Sequence, residues 1–411
     1  MQLKKLSILA ISAVTVGIPV LNAASSDEVK FTQMKYEENN DRMKIDFSVL
    51  DFKKDFGTDY TLNMSLSYDS MSGGTPVWDT KSGASSNATG KSNDTRCTNN
   101  ATLCQDTSSN KELLSDGESS LDNFSYKNAQ IDDTRKAVSL SLIKRTPKRD
   151  EISSGLAYSK EEDFKSIEAS LGYLYNIDDL KNNSISTGIS FQKNSALHRR
   201  DNNQWKDFDM VNFQIGYSKV FTKNFVAQAN YFISKQSGEL SNPYQTIVRY
   251  FNISTSSFDP VYNYFIAKEK RPDSKVSSGI SLDSAYKFHK NISLHGAYRF
   301  YSDDWGITSH TVTINSYIKV LPKLTFIPLI RYYTQSAADF YKAHDSNDNH
   351  FSKNSYGSAD ERLSKYYGTT YSLGFEYEIM KDLKVNIIAA TQKQSFGLKM
   401  DWASAGVKYA F

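Results

Sequence analysis

The sequence predicts an all-β fold, namely a closed, antiparallel, up-and-down transmembrane β-barrel of about sixteen strands. Three observations lead to this prediction. The chain ends in an amphipathic strand with an aromatic last residue, and strand-like segments continue along the whole chain. The long connections between these segments all follow odd-numbered strands. A sheet persists in hydrocarbon only if it closes on itself, because every backbone N–H and C=O must be paired there.

The last ten residues, 402–411, alternate in a way that suits the closing strand of such a barrel. Phe411 and Tyr409 fall on one face of the strand, whereas Lys408 and Gly406 fall on the other. We expect Phe411 to act as the assembly signal that the barrel-assembly machinery reads. The alternative interpretation is an edge strand of a soluble sandwich that happens to end in phenylalanine.

The first residues have the pattern of a secretory signal peptide. Lys4 and Lys5 precede the apolar run 6–21, small residues follow, and acidic residues come next. The run is shorter than the ~20 residues that a membrane-spanning helix needs. We therefore assign residues 1–24 to a signal peptide and residues 25–411 to the barrel, and expect Sec-dependent export to the outer membrane of a Gram-negative bacterium.

Composition narrows the class of protein further. Aromatic residues make up 13% of the chain, which suits strands and the aromatic girdles of a membrane barrel. Mean hydropathy is −0.53, which excludes insertion as apolar helices but not as alternating strands. The net charge of +3 gives no reason to expect nucleic acid as a partner. Lipid of the outer membrane is the expected partner instead.

Period-two alternation places the strands. In the predicted strand 366–379, Leu373 and Phe375 face one side, and Glu376 and Glu378 face the other. Carboxylates in the middle of a strand suit a wet lumen better than a dry sandwich core. The predicted strands are 28–36, 43–52, 59–68, 134–145, 152–160, 164–175, 184–193, 207–221, 224–236, 276–287, 292–302, 306–320, 323–335, 366–379, 383–394 and 402–411.

The connections give the strongest argument for a barrel. Three are long, at residues 69–133, 237–275 and 336–365, and all three follow odd-numbered strands. Outer-membrane barrels combine short periplasmic turns with long external loops, whereas a soluble sandwich has no reason to sort its loops by parity. The low-complexity connection 69–133 could be a mobile loop or a plug. Pro328 lies within a predicted strand, where we expect a bulge or unpaired positions.

The motifs of catalysis and metal binding are sparse. Cys97 and Cys104 are the only cysteines, and in an exported chain such a pair indicates a disulfide. The sequence has no Gly-x-Ser-x-Gly elbow and no His-Glu-x-x-His pair, so we expect no enzyme, no metal site and no cofactor.

Several segments resemble the bacterial family catalogued as domain of unknown function 3570. The most distinctive is Arg331-Tyr-Tyr-Thr-Gln-Ser-Ala-Ala-Asp-Phe-Tyr341. The resemblance implies an outer-membrane barrel, but it implies no established activity and no catalytic residues. Other matching pieces follow one another along the chain: 68–77, 133–135, 241–244, 271–272, 298–301, 304–307 with His310, and 360–364.

Charged residues of these pieces fall at the outer strand ends, in the external connections or, as with Arg299, toward the lumen. We expect them to form one cluster near the outer mouth, either as a selectivity or ligand-binding ring or as an ion-pair network that fastens the loops. The predicted cluster comprises Asp69, Asp133, Arg135, Arg299, Arg331, Asp339, Asp360 and Arg362.

Three classes of function remain open from the sequence. A pore or transporter for small polar solutes or ions ranks first, because sixteen strands enclose more space than side chains can fill. A non-conducting structural or surface-interaction barrel ranks second, and an outer-membrane enzyme ranks third. The sequence names no substrate.

Overall fold

The computed structural model describes residues 27–40, 42–80, 113–114, 124–199, 201–252 and 262–411. Within them sixteen strands form a closed barrel and four shorter strands form a separate sheet. The strands are β1 Glu28–Glu38, β2 Met43–Phe56, β3 Tyr60–Thr80, β4 Leu113–Leu114, β5 Phe124–Arg145, β6 Glu151–Lys160, β7 Phe164–Asn176, β8 Asn183–His198, β9 Gln204–Thr222, β10 Phe225–Gly238, β11 Thr246–Asn252, β12 Tyr262–Lys268, β13 Ser274–His289, β14 Ile292–Asp303, β15 Thr308–Leu321, β16 Leu324–Gln335, β17 His350–Ser352, β18 Tyr366–Met380, β19 Leu383–Gln394 and β20 Lys399–Ala410.

The barrel closes through its first and last strands. β1 and β20 pair antiparallel from Glu28↔Ala410 to Glu38↔Met400, and the Phe411 N–H donates to the Asp27 carbonyl at 3.0 Å. Each remaining neighbour along the barrel is also antiparallel and follows in chain order. The predicted closed, up-and-down barrel of sixteen strands is therefore confirmed.

The outer surface of the barrel is apolar and the inner surface is polar. On β7, Ile167 and Leu171 are 57% and 62% exposed, whereas Ser166 and Glu168, on either side of Ile167, face inward and are buried. Tyr60 and Tyr68 mark the two ends of the apolar stretch of β3. Such a surface is stable in lipid, so the strands cross a membrane. No helix among the described residues has the length and apolar character to span one.

The long connections lie at one end of the barrel, as their parity predicts. The ends of the first one differ from prediction, because β3 continues to Thr80 and β5 begins at Phe124 instead of at residue 134. β2 follows β3 only to Gly73, beyond which β3 and β5 continue as a two-stranded ribbon. Gly73 has φ +139°, and a Cβ there would collide with the Arg42 carbonyl.

All three long connections contribute strands to a four-stranded sheet with the order β17-β11-β12-β4, here called the loop sheet. Its residues Ile247, Val248 and Phe265 are fully buried, and Trp78 of the ribbon packs into the same apolar cluster as the first two. The loop sheet was not predicted. It shows that these connections fold onto one another instead of extending separately into solvent.

Pro328 lies in β16 and interrupts the pairing on one side. The register with β15 passes from Asn315↔Leu329 to Ile318↔Phe326 without a shift, so Ser316 and Tyr317 have no partner there. Of the two predicted outcomes, unpaired positions are observed at Pro328 and a bulge is not.

Candidate functional site

The eight residues of the predicted cluster lie in four surroundings. One group lies where β3 and β5 leave the barrel, a second in the connection before β18, and a third on the lumen wall of β14 and β16. Asp339 lies in the connection after β16, where its N–H donates to the Trp305 carbonyl at 2.9 Å and its carboxylate lies against Gly306.

The first group centres on a buried ion pair. Asp69 and Arg135 are cross-strand partners, and the Arg135 Nε lies 2.6 Å from Asp69 Oδ1. Both side chains are buried because the pair faces inward at the root of the ribbon. A buried guanidinium requires such a carboxylate, so this pair holds the two strands in register just before Gly73, where β2 stops following β3.

Asp133 belongs to a second feature of the same region, which sequence reasoning missed. Its carboxylate lies with those of Glu161 and Asp163, all buried, with ligand atoms within 4.8 Å of one another. Its Oδ1 accepts the Thr134 N–H at 2.7 Å and the Glu162 N–H at 3.1 Å. The sequence feature that could have predicted this carboxylate cluster is the acidic run 161–163 in the link between β6 and β7.

The second group is a buried network around Asp360. Arg362 donates to Asp360 from its backbone N–H at 3.1 Å and from Nε at 2.6 Å. Arg271 lies 2.8 Å from Asp360 and 2.6 Å from Glu269, whose carboxylate also accepts the Ser358 hydroxyl. Sequence reasoning did not assign Glu269 or Arg271 to the cluster, although Arg271 lies in a family-like piece.

The electrostatics of this network follow from burial and from the two arginines. Arg362 and Arg271 hold the pKa of the Asp360 carboxyl well below its ordinary value although burial opposes them. Burial raises the pKa of Glu269, and the negative charge of Asp360 adds to the rise. The network extends through Arg42, which lies 2.8 Å from Glu361 and so reaches the link between β1 and β2. It therefore fastens three connections together.

The third group faces the lumen. Arg299 and Arg331 line a cavity of about 510 Å³, as the alternation of the sequence predicts for Arg299. They lie on either side of β15, opposite Thr311 and Thr313 respectively. The other polar groups of the cavity are Ser281, Asp283, Thr370, Ser372 and Gln392.

A second cavity, of about 380 Å³, opens at the end of the barrel with the short turns. Five lysines contribute to its lining against the two carboxylates Glu376 and Glu378, and Lys384 pairs with Glu376 at 3.1 Å. The remaining lysines are Lys287, Lys290, Lys319 and Lys323. The lining of this cavity is therefore electropositive.

The lumen wall from β6 to β9 carries mainly serines, glycines and side-chain amides. Gln192 donates to Ser166 at 3.1 Å, and Asn212 donates to Ser190 at 3.0 Å. Glu168 is a buried acidic residue within this stretch. This wall therefore has smaller side chains than the wall with Arg299 and Arg331. It carries an acidic residue where that wall carries two arginines.

Two further predicted residues concern assembly and the insert. Phe411 is 57% exposed, and its ring stacks on Tyr409 with centroids 5.9 Å apart, on the lipid-facing side. Cys97 and Cys104, the predicted disulfide, lie outside the described residues. Residues 1–24, the predicted signal peptide, lie outside them too.

Solved structures match most of this chain at low sequence identity. A bacterial polysaccharide outer membrane secretin is 6% identical with a TM-score of 0.48 over 94% of this chain and 98% of its own. The CymD monoaromatic hydrocarbon channel is 7% identical with a TM-score of 0.40 over 94% and 89%. OpdK of Pseudomonas aeruginosa, solved with vanillate, is 8% identical with a TM-score of 0.41 over 94% and 98%.

Sequence comparison is more decisive. Among curated proteins, none matches this chain. A family model does match it, in two segments that cover residues 6–204 and 194–402. The segments together span most of the chain, and the strand pairing agrees with the barrel that the resemblance implied. The chain therefore belongs to the family described as protein of unknown function DUF3570.

Proposed function

We propose that this protein is an outer-membrane pore or transporter for small polar solutes. The observation that carries the proposal is the polar lumen of a sixteen-stranded barrel, with cavities of about 510 and 380 Å³ along one wall. Side chains alone fill barrels of about eight strands, so a wider one holds water or a plug.

The route to the membrane is part of the same proposal. Residues 1–24 direct Sec-dependent export across the inner membrane of a Gram-negative bacterium. The barrel-assembly machinery then inserts the chain into the outer membrane, with Phe411 as its recognition signal. The short turns face the periplasm and the loop sheet faces outward.

Single-channel recording in planar bilayers tests the proposal. Refolded protein should give discrete conductance steps, whereas the same amount of heat-unfolded chain should give none. Protein that inserts, as shown by protection from added protease, but gives no steps at any applied voltage would contradict the proposal.

A non-conducting surface barrel is the second candidate, and the loop sheet favours it. Ile247, Val248 and Phe265 of the loop sheet are fully buried. The long connections therefore pack into a stable structure at the outer end of the barrel. Recording the Arg271→Ala variant beside the wild type separates the two candidates. Conductance in the variant alone would indicate that the fastened loops close the barrel.

A further inference from the structure

We propose that Arg299 and Arg331 form a binding site in the lumen for the oxyanion of a small solute, either a carboxylate or a phosphate. The inference deepens the proposed pore function by naming the chemistry of the solute. Binding itself does not require that the barrel conducts, so the two can be tested separately.

The first support is that neither guanidinium has a carboxylate at ion-pairing distance among the residues that the structure describes. Other arginines differ in this respect: Arg135 pairs with Asp69 at 2.6 Å and Arg271 pairs with Asp360 at 2.8 Å. Two guanidinium groups that face one cavity repel each other, and an anion between them removes that repulsion. Bidentate binding of carboxylate or phosphate is the ordinary use of such a pair.

The second support is that Arg299 is held in place. Its guanidinium lies over the ring of Phe232, 4.6 Å from the ring centroid, and that ring stacks on Tyr301 with centroids 6.5 Å apart. Phe232 is the residue that breaks the apolar alternation of β10, and it turns inward where a polar residue is expected. Its register partner is Gly279, where a Cβ would collide with the ring. An arginine fixed on an aromatic ring loses little freedom on binding.

The third support is the remaining lining of the cavity. Hydroxyl and amide groups, including Thr311, Thr313 and Gln392, surround the arginines and can donate to further oxygens of a ligand. Asp283 is the one carboxylate of this cavity, so the lining is positive by one charge, two arginines against one aspartate. The lysine-lined cavity at the short-turn end raises the local concentration of anions beside this site.

Trp402 lines the same cavity and supplies a reporter. We would titrate the refolded full chain in detergent with sodium succinate and, separately, with inorganic phosphate, and follow tryptophan fluorescence. Sodium chloride at matched ionic strength is the control for screening. The Trp402→Phe variant should lose the signal, which identifies the reporter among the four tryptophans of the chain.

The wild type should show a saturable change with at least one of the two anions, and which anion binds identifies the source of the oxyanion. The Arg299→Gln and Arg331→Gln variants should each weaken binding by about tenfold or more. Arg149→Gln, in an exposed turn, is the matched control and should bind as the wild type does. Phe232→Leu keeps both arginines and should weaken binding less.

No saturable change with either anion, or equal affinity in the wild type and in Arg299→Gln, would overturn the proposal. Retained heat resistance on gels shows that a variant has folded, and Arg299→Lys serves if the glutamine variant does not fold. Binding without conductance would refute the pore and leave the site standing. Conductance without binding would refute the oxyanion site and leave the proposed pore standing.

Discussion

Arg271 and Asp360 meet at 2.8 Å although 89 positions separate them in the chain. Arg271 precedes β13, and Asp360 precedes β18, so the pair ties two of the three long connections to each other. Both side chains are almost fully buried, and Glu269 and Arg362 complete the network. A buried ion pair costs desolvation, so its contribution depends on every member being present.

Breaking this network should loosen the outer end of the barrel. Arg271→Ala leaves Asp360 and Glu269 with one arginine fewer, and removing one partner of a buried pair typically costs about 3–5 kcal/mol. We expect a lower unfolding temperature on gels and faster proteolysis of the connections. Asp348→Asn, which removes an exposed pair with Lys342, is the control and should change neither. Unchanged resistance to protease in Arg271→Ala would show that the loops hold without the pair.

His198 at the end of β8 should make stability depend on pH. Burial lowers the pKa of His198 to about 4, with Lys206 and Lys268 adding to the shift and Glu239 and Asp201 opposing it. The unfolded chain therefore gains a proton near pH 6.5 that the folded chain does not take up until about pH 4. The contribution of His198 to the free energy of unfolding should be complete above pH 6.5. It should fall by roughly 3 kcal/mol as the pH is lowered toward 4.

Urea or guanidinium unfolding at several pH values measures this effect, and His198→Gln should flatten the profile between pH 6.5 and pH 4. Asp360 adds a dependence of the same sign at lower pH. Its pKa is depressed, so its contribution is present above its unfolded value and is lost as pH falls below that value. A His198→Gln profile as steep as that of the wild type would contradict the assignment.

Arg299 and Arg331 should set ion preference if the barrel conducts. Arg299→Ala and Arg331→Ala should each shift the permeability ratio toward cations by about twofold or more, because each removes a positive charge from the lumen wall. Reversal potentials in a salt gradient measure the ratio. A drop in heat resistance with selectivity unchanged would instead assign the two arginines a structural role.

Deletion of Phe411 should impair assembly while leaving the finished fold nearly unchanged. The exposed ring contacts Tyr409, and its loss removes little packing from the barrel wall. We expect lower amounts in the outer membrane but the same heat resistance in the protein that does assemble. Phe411→Tyr, which keeps an aromatic ring, should assemble normally. Wild-type amounts of the deletion variant would count against the assembly signal.

Cys97 and Cys104 should form a disulfide. The loop that it closes is small, so the entropy model gives roughly 2–3 kcal/mol, confined to the insert. Thiol labelling of the oxidised, unfolded chain should find no free cysteine, and labelling after reduction should find both. Two free thiols before reduction would end the prediction.

The barrel could be predicted because its rules are local. Alternation along Phe225–Gly238 or Lys399–Ala410 identifies each strand, and the parity of the connections identifies the closed arrangement. The inward orientation of Arg299 follows from the same alternation. Even the exception at Phe232 was visible as a break in the pattern, although its contact with Arg299 was not.

The site was harder to predict from the sequence because its contacts join segments that are far apart in the chain. Asp69 and Arg135 were both in the predicted cluster, whereas Arg271 and Glu269 lie in a connection with no periodic pattern. β17 has only three residues and pairs in parallel with β11, and a segment so short carries no signal of its own. Only the folded chain brings these residues together.

The loop sheet has a consequence for the order of folding. Its strands come from Leu113–Leu114, Thr246–Asn252, Tyr262–Lys268 and His350–Ser352, so most of its pairings join segments far apart in the chain. Contacts of such large sequence separation form slowly, because the entropy of closing the intervening chain opposes them. The barrel hairpins, whose partners are adjacent, shorten that intervening chain once they have formed. The hairpins of the wall should therefore form while its outer end is still open. Folding should end with a separate, slower kinetic phase in which the loop sheet and the β1–β20 seam are completed.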